Sequence, residues 1–213
     1  MSIFKPKSKT NIGVAALVAA AIVGLIMTGN TAAQAETMLM AGVPFRRVPA
    51  EETPTKMTPL ESVTVPINLT NEIGVGEAVG TVTLADTQYG LLLTPNLMDL
   101  PPGIHGFHIH QNAACGPSEK DGKVVPGLAA GGHYDPAETG SHEGPYAEGH
   151  LGDLPPLYVD MEGNASTPVL APRLTMAEAT DHALMVHMDG DNFSDVPAAL
   201  GGGGARLACG VVE

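Results

Sequence analysis

From Ser62 the chain alternates. Val63, Val65, Ile67 and Leu69 are apolar, and Thr64, Asn68 and Thr70 between them are polar, with Pro66 filling one polar slot. A period of two places one set of side chains on a buried face and the other in water, so residues 62–70 read as a strand. Pro66 lacks a backbone N–H and marks an edge or a bulge. Further apolar runs at 80–84, 89–94, 103–111, 157–161, 183–188 and 205–212 predict more strands. Short strands divided by Gly and Pro predict an all-β fold, a Greek-key β-sandwich or flattened barrel of about eight antiparallel strands. With no Trp and 4% aromatic residues, Val, Leu, Ile and Ala must fill its core.

Two long stretches break the pattern. Residues 112–156 show little periodicity and much Gly, Pro, Asp and His, and residues 189–204 end in Gly201-Gly202-Gly203-Gly204. Loops of the first length are uncommon and usually either functional or disordered. The reading is one domain over residues 61–213 with two long functional loops.

The N-terminal part follows a different logic. Lys5, Lys7 and Lys9 precede an apolar run from about Ile12 to Met27, then Ala33-Gln34-Ala35. A positive start, an apolar middle and an A-x-A site predict a signal peptide over 1–35, with cleavage before Glu36. The run is short for a permanent bilayer span, which needs about 20 residues. Residues 36–60 carry Pro44, Pro49, Pro54 and Pro59 among charges and read as a flexible tether. The mature chain is therefore expected in a periplasm or outside the cell, with no stable membrane insertion.

Removal of the leader leaves 7 Lys+Arg against 23 Asp+Glu, a net charge of about −16 with neutral His. Nucleic acid is a poor partner for such a chain. The two cysteines, Cys115 and Cys209, read in an exported protein as one disulfide.

The candidate chemistry lies in the histidines. His108 and His110 share one strand face by parity. His133, His142, His150 and Asp153 fall in the first long loop, and His187 sits in the apolar run Leu184-Met185-Val186-His187, where an imidazole needs a reason. Imidazole suits copper and zinc, three His with one Asp make a tetrahedral zinc set, and four His suit a tetragonal cupric site. His105 falls on the opposite strand face and reads as a hydrogen-bonding residue. His182 reads as solvated.

Gly106-Phe107-His108-Ile109-His110, Gly131-Gly132-His133-Tyr134-Asp135-Pro136, Gly149-His150-Leu151-Gly152-Asp153 and Gly201 through Gly210 together resemble copper/zinc superoxide dismutase, its exported bacterial branch best. The resemblance covers about residues 60–213. It implies copper on His108, His110, His133 and His187, and zinc on His133, His142, His150 and Asp153, with His133 bridging as an imidazolate. It implies that Asp191 links ligands of the two metals, with Asp189 and Asp195 as neighbouring candidates. It also implies that Cys115 and Cys209 form the family disulfide and that Arg206 guides the superoxide anion, with Lys120 and Lys123 adding to its field. The implied reaction is dismutation of superoxide to dioxygen and hydrogen peroxide by copper cycling between Cu(II) and Cu(I). The family implies a homodimer or, in some bacterial members, a monomer. A protein that buffers copper and zinc would present the same seven ligands; Arg206 argues for the enzyme.

Overall fold

The computed structural model describes residues 61–213; the leader and tether expected over 1–35 and 36–60 lie outside the described residues. The strands are β1 (Ser62–Asn71), β2 (Gly74–Thr87), β3 (Gly90–Leu97), β4 (Gly103–His105), β5 (Phe107–His110), β6 (Ser118–Lys120), β7 (Lys123–Val125), β8 (Leu157–Val159), β9 (Val169–Ala171), β10 (His182–His187) and β11 (Arg206–Val212), with one short helix, α1 (Met176–Ala179), before β10. Seven of them form one antiparallel sheet in the order β5-β10-β11-β1-β2-β3-β9, with β4–β8 and β6–β7 as separate pairs. The all-β expectation holds, with short pairs beyond the expected eight strands.

Alternation works as read in β1: Val65 and Ile67 are buried, Thr64 and Pro66 exposed. Pro66 pairs with Thr81 of β2, while β1 ladders onto β11 at Asn68 and Leu69 only, and the register slips beside Ile67. The missing N–H therefore falls on the unladdered edge. Val65 and Ile67, Leu91 and Leu93 of β3, and Phe107 and Ile109 of β5 join one apolar core. Each such side chain contributes about 1.5–3 kcal/mol by burial.

Four features depart from the sequence reading, the first being β9, which no apolar run predicted. The run 103–111 is two strands, because the chain changes partner at Gly106: β4 pairs with β8 and β5 with β10. Gly106 instead hydrogen-bonds the second long loop, its N–H donating to the Asp189 carbonyl at 2.8 Å. The first long loop contains the β6–β7 hairpin, turned by Asp121 and Gly122 at φ 54° and 73°. α1 was also unforeseen; Thr175 and Glu178 cap it reciprocally.

The rest of the first loop is held on the outer edge of β5. Ile109 N–H donates to Gly152 O (2.8 Å), Tyr134 N–H to Ile109 O (2.9 Å) and Gln111 N–H to Gly132 O (2.9 Å). A segment without regular structure thus covers a sheet edge and brings its histidines onto the face of β5 opposite Phe107 and Ile109. His105, buried just before β5, spans the carbonyls of His187 (Nδ1, 2.8 Å) and Pro101 (Nε2, 2.7 Å). His182 is half-buried at the start of β10; its ring lies tilted against Tyr134 with centroids 4.0 Å apart, and its Nδ1 donates to Gln111 O at 2.8 Å.

Candidate metal centre

β5 supplies His108 and His110, alternate residues on one face, both buried. β10 ends in His187, where a register slip sets it opposite Arg206 of β11. The first loop supplies the rest. The structure brings His108, His110, His133 and His187 together with one potential ligand atom each inside 4.8 Å, and likewise His108, His133, His142 and Asp153. His150 stands outside the second quartet but next to it, its Nδ1 3.3 Å from Asp153 Oδ1. Two further Nδ1 atoms converge on the same carboxylate, His133 at 2.9 Å from Oδ1 and His142 at 3.0 Å from Oδ2.

The ring tautomers follow from the partners. A carbonyl or carboxylate oxygen only accepts, so a ring nitrogen facing one carries the proton, and the other nitrogen of a neutral imidazole is bare. His110 Nδ1 faces Gly131 O at 2.9 Å, and His187 Nδ1 faces Gly204 O at 3.4 Å. Their Nε2 atoms, 3.2 Å apart, therefore meet as two lone pairs. His108 Nε2 donates to Asp191 Oδ2 at 2.7 Å, and His142 Nε2 to Asp191 Oδ1 at 2.8 Å. That leaves His108 with a bare Nδ1, while both nitrogens of His142 face carboxylate oxygens, Nε2 toward Asp191 and Nδ1 toward Asp153. Among the described residues, His108 Nδ1 and His133 Nε2 are buried with no hydrogen-bond partner, and the Nδ1 atoms of His142 and His150 crowd the Asp153 carboxylate without good hydrogen-bond geometry. Buried polar atoms are normally satisfied. A cluster of bare acceptors aimed at one another fits cations, and the donor types suit copper on the all-imidazole side and zinc on the side that includes a carboxylate.

Asp191 joins the two sides through its two oxygens; Asp189 and Asp195 do not occupy that place. Phe193 N–H also donates to Asp191 Oδ1, at 2.7 Å. Asp195 accepts from the backbone N–H groups of His142 and Leu200, both at 2.9 Å.

The site separates two charge regimes. Burial pushes His133 down to about 4 and His187 to about 3, in each case with His108 as the next cause, and it lowers His108 and His110 too. These rings stay neutral and ready to ligate. His142 goes the other way: burial opposes its charge, yet the carboxylates of Asp153 and Asp191, accepting from its ring, raise it to about 9. The His142 position therefore favours positive charge. Against the penalty of their own burial, hydrogen bonds from the surrounding imidazoles hold Asp153 and Asp191 well below the usual carboxylate range.

Above the all-histidine set lies a cavity of about 330 Å³ lined by His110, His133, His187, Leu200, Gly203 and Arg206. Arg206 Nη2 donates to Gly131 O at 2.8 Å, the same oxygen that fixes His110. Three residues on, Cys209 is bonded to Cys115, so a disulfide ties β11 to the first loop. Lys120 and Lys123 are exposed on the β6–β7 hairpin. Sequence reasoning missed Arg173, which grips the carbonyls of the first loop; its signal was rarity, since residues 61–213 hold only four Lys or Arg.

A curled antiparallel β-fold carrying a four-imidazole set beside a His/Asp set, with an arginine at the cavity above, defines a two-metal redox protein. The profile of the family described as copper/zinc superoxide dismutase (SODC) matches residues 78–212. The chain belongs to the copper/zinc superoxide dismutase family and is an oxidoreductase of that type, with copper and zinc as cofactors and superoxide as substrate.

Individual relatives agree. A copper-zinc superoxide dismutase from Photobacterium leiognathi is 50% identical over 184 residues, 84% of this chain and 99% of that protein. One from Salmonella typhimurium is 57% identical over 150 residues, 70% and 87% of the two chains. The solved structure of the enzyme from Brucella abortus superposes with a TM-score of 0.71 at 52% identity, covering 72% of this chain and all of that one.

Proposed function

We propose that the protein is an exported superoxide dismutase in which His108, His110, His133 and His187 hold copper, while His133, His142, His150 and Asp153 hold zinc. The observation that carries this is the meeting of bare nitrogens: the tautomers of His110 and His187 are fixed by backbone carbonyls, and their Nε2 atoms face each other at 3.2 Å. His108 falls within reach of both sets. It has one bare nitrogen and can serve only one ion, and its place beside His110 on β5 supports the copper role.

Copper in the first set supplies a one-electron couple, which zinc lacks. The chain supplies the rest. Arg206 offers a planar, permanently charged fork to an anion too small to be recognised by shape. Its guanidinium is tethered to Gly131 O, which holds it beside the cavity. His133 is the residue with a nitrogen toward each set: Nδ1 on the Asp153 side and Nε2 toward His110 and His187. It can take a proton at Nε2 and give it up again while Nδ1 keeps the ring in place. Asp191 holds His108 and His142 with both nitrogens oriented for their ions, as a metal-bound imidazole needs. Export is supported by the leader pattern over 1–35 and by the disulfide, which persists in oxidising compartments. Among the described residues no helix is long and apolar enough to cross a membrane.

The test is superoxide consumption by the purified mature chain, with copper and zinc measured on the same sample. Rapid turnover with one of each metal per chain is expected. Full metal content with negligible turnover would sink the enzymatic reading in favour of a metal store.

A further inference from the structure

Between β9 and α1 the chain carries Arg173, whose side chain crosses to the first loop. Its Nη2 donates to His150 O at 2.6 Å and to Gly144 O at 3.4 Å, Nε to Pro145 O at 3.2 Å, and Nη1 to Gly149 O at 3.2 Å. One guanidinium thus collects four carbonyls from residues 144–150. This segment has no ladder of its own; the His150 N–H donates to Ser141 O at 3.0 Å and closes it into a ring. Backbone oxygens in such a ring need partners, and Arg173 provides them.

The placement has a consequence for metal binding. β5 and β9 are the two terminal strands of the seven-stranded sheet. The loop is bonded to the edge of β5 through residues 132–134 and 152–154, and Arg173, two residues beyond β9, holds the part between them. His150 enters the zinc set from the part held by Arg173, and Asp153 enters from the part held by β5. A backbone turn joins the two residues directly, Asp153 N–H donating to His150 O at 3.4 Å, and Arg173 grips that same oxygen, so the turn that carries His150 is held from the β9 side as well as from β5.

We infer that Arg173 is a positioning residue for zinc: by gripping the carbonyls of Gly144, Pro145, Gly149 and His150, it fixes the ring of His150 toward Asp153. The inference rests on the assignment of His150 and Asp153 to zinc. It requires the arginine fork in particular. A lysine keeps the charge but concentrates its donors on one atom and cannot reach four carbonyls spread along a loop. Partners that orient ligands from outside the coordination sphere typically change metal affinity by about 10–100-fold.

The experiment measures zinc affinity by chelator competition on the full mature chain. Cobalt(II) bound in place of zinc serves as a visible-absorption probe of ligand geometry. Arg173→Lys is expected to fold, form its disulfide and take up copper like the parent, yet to bind zinc about tenfold or more weakly, with an altered cobalt spectrum. In a His150→Ala background the same change should have little further effect, because the two residues act through one contact. Zinc affinity within twofold of the parent and an unchanged cobalt spectrum would overturn the inference, as would full additivity with His150→Ala. Should Arg173→Lys fail to fold, Arg173→Gln is judged by the same readouts. Failure of the zinc assignment is separable: there, His150→Ala alone leaves the affinity and cobalt spectrum of the parent unchanged.

Discussion

The carbonyl oxygen of Gly131 accepts from His110 Nδ1 and from Arg206 Nη2. One backbone atom thereby sets both the tautomer of a copper-side imidazole and the reach of the guidance cation. Arg206 itself contributes no ligand. Arg206→Ala is therefore expected to retain copper and zinc while superoxide turnover falls by about tenfold or more, since a local charge acts chiefly on encounter with a charged partner. Metal analysis paired with rate measurement checks this; a variant as fast as the parent would remove Arg206 from the mechanism. Gly201 tests the other side of the site. Its φ is 72°, and an added Cβ would run into Asp191 Oδ1 and lie 2.8 Å from His142 Nε2. A side chain in the left-handed region costs about 1–2 kcal/mol before any clash. Gly201→Ala should lower the melting temperature and weaken zinc together, because the displaced Asp191 releases His142. Unchanged zinc affinity in that variant would show that Asp191 does not orient His142.

Cys115 and Cys209 lie 94 residues apart in sequence. The chain-entropy model gives about 4–5 kcal/mol for closing a loop of that length. In a domain of this size each kcal/mol moves the melting temperature by about 2–4 °C. Cys115→Ser should therefore melt about 10 °C or more below the parent in scanning calorimetry, and equal melting of the two would mean that the metals alone hold the first loop. At this scale the sequence was legible wherever one face was buried. β1 follows the alternation of Val65 and Ile67, and β5 was foreseen with His108 and His110 on one face. Legibility failed where local chemistry replaced periodicity. The start of β2, Gly74-Val75-Gly76-Glu77-Ala78, has no apolar face to betray it. The β6–β7 hairpin is exposed and short, and its signal was the Asp121-Gly122 pair suited to a tight turn. α1 has four residues, too few for a 3.6 period, and its signal was the Thr175/Glu178 capping box. Arg173 left only the signal of its rarity, because backbone carbonyls leave no trace in the identity of Gly144 or Pro145.

The molecule as a whole joins a rigid sheet to two loops that meet each other mainly at the metal centre. Asp191 ties the second loop to His108 and His142, Asp195 takes the backbone N–H of His142, and Phe193 lies so close to Gly144 that a Cβ there would sit 2.6 Å from its ring. These contacts gather around the two candidate metal sets, whereas the core under β1, β2 and β3 is built without them. Removing the metals should therefore loosen the loops before the sheet. Buried lone pairs that a cation had satisfied would face one another at a cost of about 1–3 kcal/mol for each unsatisfied group. A ligand bound only by the folded state, at a thousand times its dissociation constant, adds about 4 kcal/mol. The chelator-treated chain is thus expected to melt at least about 8 °C below the metal-loaded one, at the rate of about 2–4 °C per kcal/mol for a domain this size. Zinc alone should recover most of the difference. Hydrogen exchange separates this from general weakening. Amides of 132–154 and 191–204 should lose protection on chelation, while those of β1, β2 and β3 keep theirs. A uniform loss across the sheet would mean that the centre stabilises the fold globally and that the loops are not independent units held by metal.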